Sequence, residues 1–131
     1  MTILSNIGRG LITAALTGTG YTVAKWTAWG LNTGNTAESV TNTALDSEVN
    51  LNGTSGTARS GTNAPTQVTT TVTNDTFQVV QTLTASGTFT VAEAGLFDAP
   101  TSGNMILRGV FAGIPLSPGD SISLTFRLQF L

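Results

Sequence analysis

The sequence contains no cysteine and no histidine, and these two absences exclude several kinds of site. Without cysteine there is neither a disulfide framework nor a thiol nucleophile. Without histidine there is no histidine-based catalytic triad, and the usual zinc sites lose their ligands. Seven carboxylates remain, and no loop clusters them as a calcium site requires. The sequence therefore predicts a protein that is not an enzyme and that uses no metal or other cofactor.

Charge is also scarce, because Asp, Glu, Lys and Arg make up only 9% of the 131 residues. An ordinary soluble domain has roughly a quarter. The five basic residues are spread singly along a chain of net charge −2, so we expect no direct binding of nucleic acid. A surface of Thr, Ser, Asn, Gln and Gly repels copies of itself weakly. This composition favours a protein that packs against copies of itself or against other subunits, over the alternative of a monomer with a neutral polar coat. The expectation is a homo-oligomer, either a dimer or a trimer.

A long hydrophobic run is missing as well. The opening residues, MTILSNIGRGLITAAL, interrupt their apolar stretch with Gly and Thr, so they resemble neither a signal peptide nor a membrane span, and no membrane partner is expected. Their apolar residues instead fall on one side of a helix of about three turns. These residues are Ile7, Leu11, Ile12, Ala15 and Leu16. Ser5 or Asn6 can cap the start of this helix, and Gly18 and Gly20 end it.

Strand patterns fill most of the remaining chain. In the last eleven residues, Ser121 to Leu131, apolar and polar residues alternate strictly as far as Phe130, which is typical of a strand with one buried face. Further strands are predicted over 66–73 and 76–85, joined at Asn74 and Asp75, and over 88–97 and 105–111, with a tight turn at 117–120. The fold expected for residues 1–131 is one all-β domain, a jelly-roll-like antiparallel sandwich of six to eight strands with one short N-terminal helix. Residues 1–5 are a candidate arm, and the Gly- and Ser-rich residues 51–63 a flexible loop or arm.

Glu93 lies in a predicted strand between apolar residues, so its carboxylate should be partly buried and needs a partner. Arg59 and Arg108 are the candidates, and we predict a structural ion pair. Asp46 and Glu48 adjoin a polar loop, and we expect a solvated pair there instead of the facing carboxylates of a sugar hydrolase.

Two tryptophans have alternative interpretations. Trp26 and Trp29, with Tyr21, could form an aromatic platform for a sugar, or they could pack in the core or at a subunit interface. Ile106 and Val110 lie on a predicted strand that is apolar on both faces, so we expect this strand to lie in the middle of a sandwich or to have its outer face covered by the helix or by a partner. Trp26, Trp29, Ile106 and Val110 are therefore the interface candidates.

The segment from Phe89 to Phe111 contains Glu-x-Gly-Leu-Phe-Asp-Ala at Glu93 to Ala99, and PLSPGDSISLTFRLQF follows it. Together with Asn6-Ile7-Gly8 and the stretch from Trp29 to Gly34, this order resembles virion proteins of tailed bacteriophages. They include small capsid decoration, or cement, proteins and the attachment regions of some tail fibres. The resemblance implies a β-sandwich that serves as an assembly unit.

The resemblance further implies a partner and a location. We expect a decoration protein on the capsid exterior of the virion, made in the host bacterial cytoplasm and bridging copies of the major capsid protein. No fibrous extension follows Leu131, which favours the capsid over the tail as an expectation. The alternative is a tail or baseplate component that anchors a fibre, and a carbohydrate-binding module is a third hypothesis.

Overall fold

The computed structural model describes residues 2–20 and 22–131. They form one helix and seven strands. In chain order these are β1 (Thr2–Leu4), α1 (Asn6–Leu16), β2 (Trp26–Leu31), β3 (Thr66–Val68), β4 (Thr76–Thr84), β5 (Phe89–Phe97), β6 (Met105–Leu116) and β7 (Ser121–Gln129). The predicted all-β fold with one short N-terminal helix is confirmed. In the described part of the chain, no helix has the length and apolar character needed to cross a membrane.

The strands form two antiparallel sheets, with orders β1-β6-β5-β2 and β3-β4-β7. β7 pairs with β4 along its whole length, from Ser121 opposite Thr84 to Gln129 opposite Thr76. The alternation that predicted the final strand puts Phe126 in the core and leaves Thr125 exposed. The turn before β7 also agrees with the sequence, since Gly119 has φ +93° and the Asp120 N–H donates to the Ser117 carbonyl.

The two sheets pack face to face. Val79 and Phe126 of the three-stranded sheet share a cluster with Leu96 and Leu107 of the four-stranded sheet. A second cluster is built around Trp29 in the same way. Each apolar side chain of this size contributes about 1.5–3 kcal/mol on full burial. The sandwich is therefore held by its interior, as a chain without disulfides requires.

Ser5 joins α1 to the four-stranded sheet. Its hydroxyl accepts from the Gly8 N–H at 2.9 Å, which caps the helix, and donates to the Met105 carbonyl at 2.6 Å. Residues 2–4 form β1 against residues 107–109 of β6. The arm predicted at the N-terminus is therefore wrong for residues 2–4, because their backbone groups complete the sheet of the same chain; Met1 lies outside the described residues.

The apolar side of α1 is covered only over its first half. Gly8 is buried against β6, whereas Leu16, at the other end of the helix, is exposed. Leu11, Leu16, Phe77 and Phe130 line an open groove of about 340 Å³ between α1 and the ends of β4 and β7. The helix was predicted correctly, but its second half does not pack against the sheet.

Two glycines of α1 test this packing. A Cβ at Gly8 would lie 2.8 Å from the Ile106 carbonyl oxygen and from the Leu4 side chain, whereas a Cβ at Gly10 would meet nothing within 4 Å. We expect Gly8→Ala to lower the free energy of unfolding by about 1–3 kcal/mol, because backbone must move. The control, Gly10→Ala, should raise it by up to about 1 kcal/mol. Urea unfolding measures both, and equal effects would contradict this packing.

The connection between β3 and β4 wraps around one carboxylate. Asp75 accepts from the backbone N–H groups of Thr70, Thr71 and Val72, and Asn74 before it has φ +60°. The strand predicted over 66–73 ends at Val68, because the N–H groups of residues 70–72 bind this side chain instead of a neighbouring strand. The N–H of Val72, followed by those of Thr70 and Thr71 and the amide of Gln129, holds the pKa of Asp75 well below its ordinary value.

A lowered pKa in the folded state stabilises the fold only while the carboxylate is ionised. As the pH falls below about 3.9, the unfolded chain takes up the proton first, and this stability is lost progressively. We therefore expect Asp75→Asn to lower the urea midpoint at pH 7. The difference in midpoint between this variant and the parent protein should become smaller towards pH 2. Asp120→Asn is the control, since the Asp120 carboxylate accepts one backbone hydrogen bond, from the Ser117 N–H, and this variant should lower the urea midpoint less at pH 7. A difference that stays constant with pH would contradict the role of Asp75.

Candidate functional site

Glu93 of β5 and Arg108 of β6 form an ion pair inside the protein. The two side chains are 0% and 1% exposed, and Arg108 Nη2 lies 2.9 Å from Glu93 Oε2. Arg108 Nε donates to the same oxygen at 3.2 Å. Gly95 of β5 lies opposite Arg108 in the sheet, so the two charged side chains start two residues apart on neighbouring strands. The sequence left Arg59 and Arg108 open as partners of Glu93, and the structure places Arg108 there.

A long loop closes over this pair. Arg108 also donates to Asp46 Oδ2 and to Asn42 Oδ1, both at 2.9 Å. Glu93 in turn accepts from the backbone N–H of Ser47 at 2.7 Å and of Asp46 at 3.2 Å. A Cβ at Gly30 would overlap the Glu93 carboxylate, so glycine is needed there. The pair therefore fixes the loop between β2 and β3 to the four-stranded sheet.

Arg59 belongs to a second ion pair in the same loop. Its Nε and Nη2 bind the two oxygens of Glu48 at 2.8 and 3.0 Å, and its Nη1 donates to the carbonyls of Ala99 and Ser102. Its guanidinium carbon lies 3.5 Å from the centre of the Phe97 ring. The predicted pairing of Arg59 with Glu93 is therefore wrong, since Arg59 Nε and Nη2 donate to the carboxylate of Glu48 instead.

The segment 51–63 is likewise tied to the body of the protein. Ser60 and Thr27 exchange two backbone hydrogen bonds, at 2.8 and 2.9 Å. The Asn63 N–H and side-chain amide bind Gln81 Oε1 and the Val80 carbonyl. The alternative of an extended arm at residues 51–63 is wrong, because these contacts hold the segment along β2 and β4.

Asp46 and Glu48 are the residues that the sequence interpretation missed. They do not pair with each other, because each binds a different arginine; the Asp46 side chain is still 32% exposed to solvent, whereas that of Glu48 is 15% exposed. A signal was present in the sequence: the two carboxylates lie between Leu45 and Val49, which are both buried, so this segment has to run along the body of the protein. The Thr36 backbone N–H and hydroxyl, together with Arg108, lower the pKa of Asp46. Asp46 is therefore ionised at neutral pH.

Every carboxylate of the chain accepts a hydrogen bond from the protein itself. Besides Asp46, Glu48, Asp75 and Glu93, Glu38 accepts from the Val110 N–H, Asp98 from the Asn104 N–H and side chain, and Asp120 from the Ser117 N–H. Over residues 2–20 and 22–131, no group of three or more such side chains is placed to hold a metal ion. Glu38, Asp46 and Glu93 connect loops to strands, whereas Asp75 and Asp120 hold the turns in which they lie.

The tryptophans differ in exposure. Trp29 is 0% exposed and packs edge-on against Phe89, with ring centroids 5.4 Å apart. Of the alternatives for Trp29, packing in the core is confirmed, and its assignment as an interface or sugar-stacking residue is wrong. Trp26 is half-buried, with Gly61 against its ring and Lys25 Nζ 5.2 Å from the ring centre. Tyr21, the third member of the predicted platform, lies outside the described residues.

The other two interface candidates lie on β6. Ile106 is buried beneath α1, close to Gly8, so of the two predicted covers, the helix and a partner, the helix is confirmed and the assignment of Ile106 to an interface is wrong. Val110 is half-buried, and its N–H donates to Glu38 at 2.8 Å.

In comparisons with known proteins, no family model and no curated protein matches this chain.

The buried pair can be tested by removing its cation. Arg108→Met leaves the Glu93 carboxylate buried without a counter-charge, and we expect the free energy of unfolding to fall by about 3–5 kcal/mol. Arg127→Met is the matched control, because Arg127 is exposed and its side chain donates to the neutral Gln78 side chain; its effect should stay below about 1 kcal/mol. The measurement is urea unfolding at neutral pH.

The double variant Arg108→Met, Glu93→Gln separates charge from packing. Replacing the unpaired Glu93 carboxylate by an amide should restore part of the lost stability, because an amide costs less to bury than a carboxylate. If the double variant were as unstable as the sum of the two single variants, the ion pair would not be the reason for the loss.

Proposed function

We propose that this chain is a non-enzymatic structural protein of a tailed-bacteriophage virion, a capsid decoration protein that bridges neighbouring subunits of the shell. The observation that carries the proposal is that the ionisable groups form their contacts inside the fold. All seven carboxylates are hydrogen-bonded within the fold, and the two most buried arginines neutralise carboxylates. This distribution favours action through surface complementarity over catalysis.

The motif behind the resemblance to phage proteins has a structural use in this fold. In Glu93 to Ala99, the glutamate binds Arg108, Phe97 lies against Arg59, and Asp98 binds Asn104 in the turn after β5. In this chain those residues stabilise the fold through these contacts. A likeness at this motif therefore supports a shared architecture, and the phage assignment rests on that likeness.

The proposed mechanism is burial of neutral polar and apolar surface across boundaries between copies of the major capsid protein. Standard interfaces bury about 1,200–2,000 Å². The outer face of the three-stranded sheet suits this use, because it exposes hydroxyl-bearing side chains and a single charge. These residues are Thr82, Thr84, Ser121, Ser123, Thr125 and Arg127. Self-association as a dimer or trimer, and a position on the capsid exterior, belong to the same proposal.

The alternative within the same class is a tail or baseplate component that anchors a fibre. The fold is equally compatible with that position, and the number of copies per particle distinguishes the two. The hypothesis of a carbohydrate-binding module has lost part of its support, because Trp29 is buried; Trp26 is half-buried, and Tyr21 lies outside the described residues.

The copy number in purified virions tests the location. We expect quantitative mass spectrometry of full particles to find this chain in an amount similar to that of the major capsid protein, because a decoration protein occupies repeated positions on the shell. Labelled standard peptides for both proteins provide the calibration. A few copies per particle would support the tail alternative, and absence from the particles would overturn the proposal altogether.

A further inference from the structure

The edges of the two sheets are protected to different degrees. β1 and β3 have three residues each. The free side of β2 is covered by the long loop, through the backbone bonds of Thr27 to Ser60 and of Trp29 to Val49. Beyond β1, the outer part of β6 contains Pro115, and the Val110 N–H there binds Glu38. Short length, proline and covering loops are the devices that normally prevent strand edges from pairing.

β7 has none of these devices. It is nine residues long and pairs with β4 on one side, and no neighbour lies on its other side among residues 2–20 and 22–131. Its register with β4 is unbroken, so no bulge twists the edge away. It contains neither Pro nor Lys, and Arg127 is its only charged residue. A long, regular and nearly uncharged edge is a template for another strand.

The inner row of β7 is also incompletely covered. Its core-facing side chains are Ile122, Leu124, Phe126 and Leu128, and only Phe126 is buried while the other three remain half-buried. The strand next to it shows the contrast, because Val79 and Leu83 of β4 are 1% and 2% exposed. A strand added beside β7 would cover the open sides of these three residues.

We propose that β7 pairs antiparallel with β7 of a second copy, about a two-fold axis at Thr125, so that two three-stranded sheets become one of six strands. On the outer face this register sets Thr125 opposite Thr125 and Ser123 opposite Arg127. On the inner face it sets Leu124 opposite Phe126 and Ile122 opposite Leu128. Apolar residues therefore meet apolar ones, and each arginine meets a serine.

Two other registers fit less well. A two-fold axis at Arg127 would set two guanidinium groups directly opposite each other, which is destabilising. A shift of one residue would place the apolar row of one copy against the hydroxyl row of the other. In the register centred on Thr125, the two arginines are four residues apart along the strands, about 13 Å. The edge is thus self-complementary, as a two-fold interface requires.

The inference rests on the proposed function only for the premise that copies of this chain associate. It is tested with the purified protein alone, without virus particles. If the purified protein does not form this dimer, the proposed location on the capsid is not affected. If the protein is absent from virions, the proposed dimer is not affected.

The first experiment places like charges on the axis. Thr125 is exposed, so Thr125→Lys should keep the fold while setting two ammonium groups opposite each other at the centre of the interface. We expect the parent protein to be a dimer by sedimentation equilibrium, and this variant to have a dimer dissociation constant at least about tenfold higher. Thr66→Lys, exposed on β3 at the other edge of the same sheet, adds the same charge and should leave the constant unchanged.

Cross-linking gives a second readout that does not depend on destabilising the dimer. The chain has no cysteine, so Thr125→Cys introduces the only thiol. Residues directly opposite in an antiparallel pair have Cα atoms about 4.5–5.5 Å apart, within the reach of a disulfide. Mild oxidation should convert Thr125→Cys into a covalent dimer and leave Thr66→Cys monomeric on a denaturing gel.

Several results would overturn the proposal. The first is a parent protein that stays monomeric at every concentration or forms a trimer. The second is an equal rise of the dimer dissociation constant in Thr125→Lys and Thr66→Lys. The third is equally fast cross-linking of Thr125→Cys and Thr66→Cys. A dimer insensitive to Thr125→Lys would place the interface elsewhere, for example at the apolar groove beside α1.

Discussion

The buried contact between Arg108 and Glu93 is the interaction on which the arrangement of this protein most depends. Removing two charges from water is costly, and their mutual attraction offsets that cost only when the remaining hydrogen-bonding groups are also satisfied. Here the loop after β2 supplies these groups through Asn42, Asp46 and the N–H of Ser47. The pair therefore requires the loop to be folded in place, and the loop in turn covers the pair from water.

This requirement explains how a chain with so few charges uses them. Arg59 and Glu48 form a second ion pair further along the same loop. Arg59 also donates hydrogen bonds to the carbonyls of Ala99 and Ser102 in the turn after β5. Because the carboxylates bind within the fold, the exposed surface is left mainly to threonine, serine and glycine. Such a surface has little charge to keep copies apart, and the open edge of β7 gives them a place to meet. The internal use of charge and the proposed assembly are thus connected.

Much of the fold was predictable from local patterns. Strict alternation located β7, the Pro-Gly turn located its start, and the spacing of Ile7, Leu11 and Leu16 located α1. Local patterns failed where distant groups compete. The strand after residue 65 ends early because Asp75 takes the N–H groups of residues 70–72. Trp29 looked available for an interface because a sequence does not state which side of a strand meets the opposite sheet, and the core buries it.

By itself, the sequence determined the class of protein: an all-β domain with one helix, without thiol or imidazole chemistry, and with a buried glutamate in need of an arginine. Composition and periodicity carry this information because they depend only on residue type and neighbouring positions. Tertiary structure alone decided which arginine meets Glu93, that Asp46 binds Arg108 while Glu48 binds Arg59, and which sheet edge stays open. These outcomes depend on contacts between residues that are distant in the chain, such as the 62 positions separating Asp46 from Arg108, and no local pattern records which of them form.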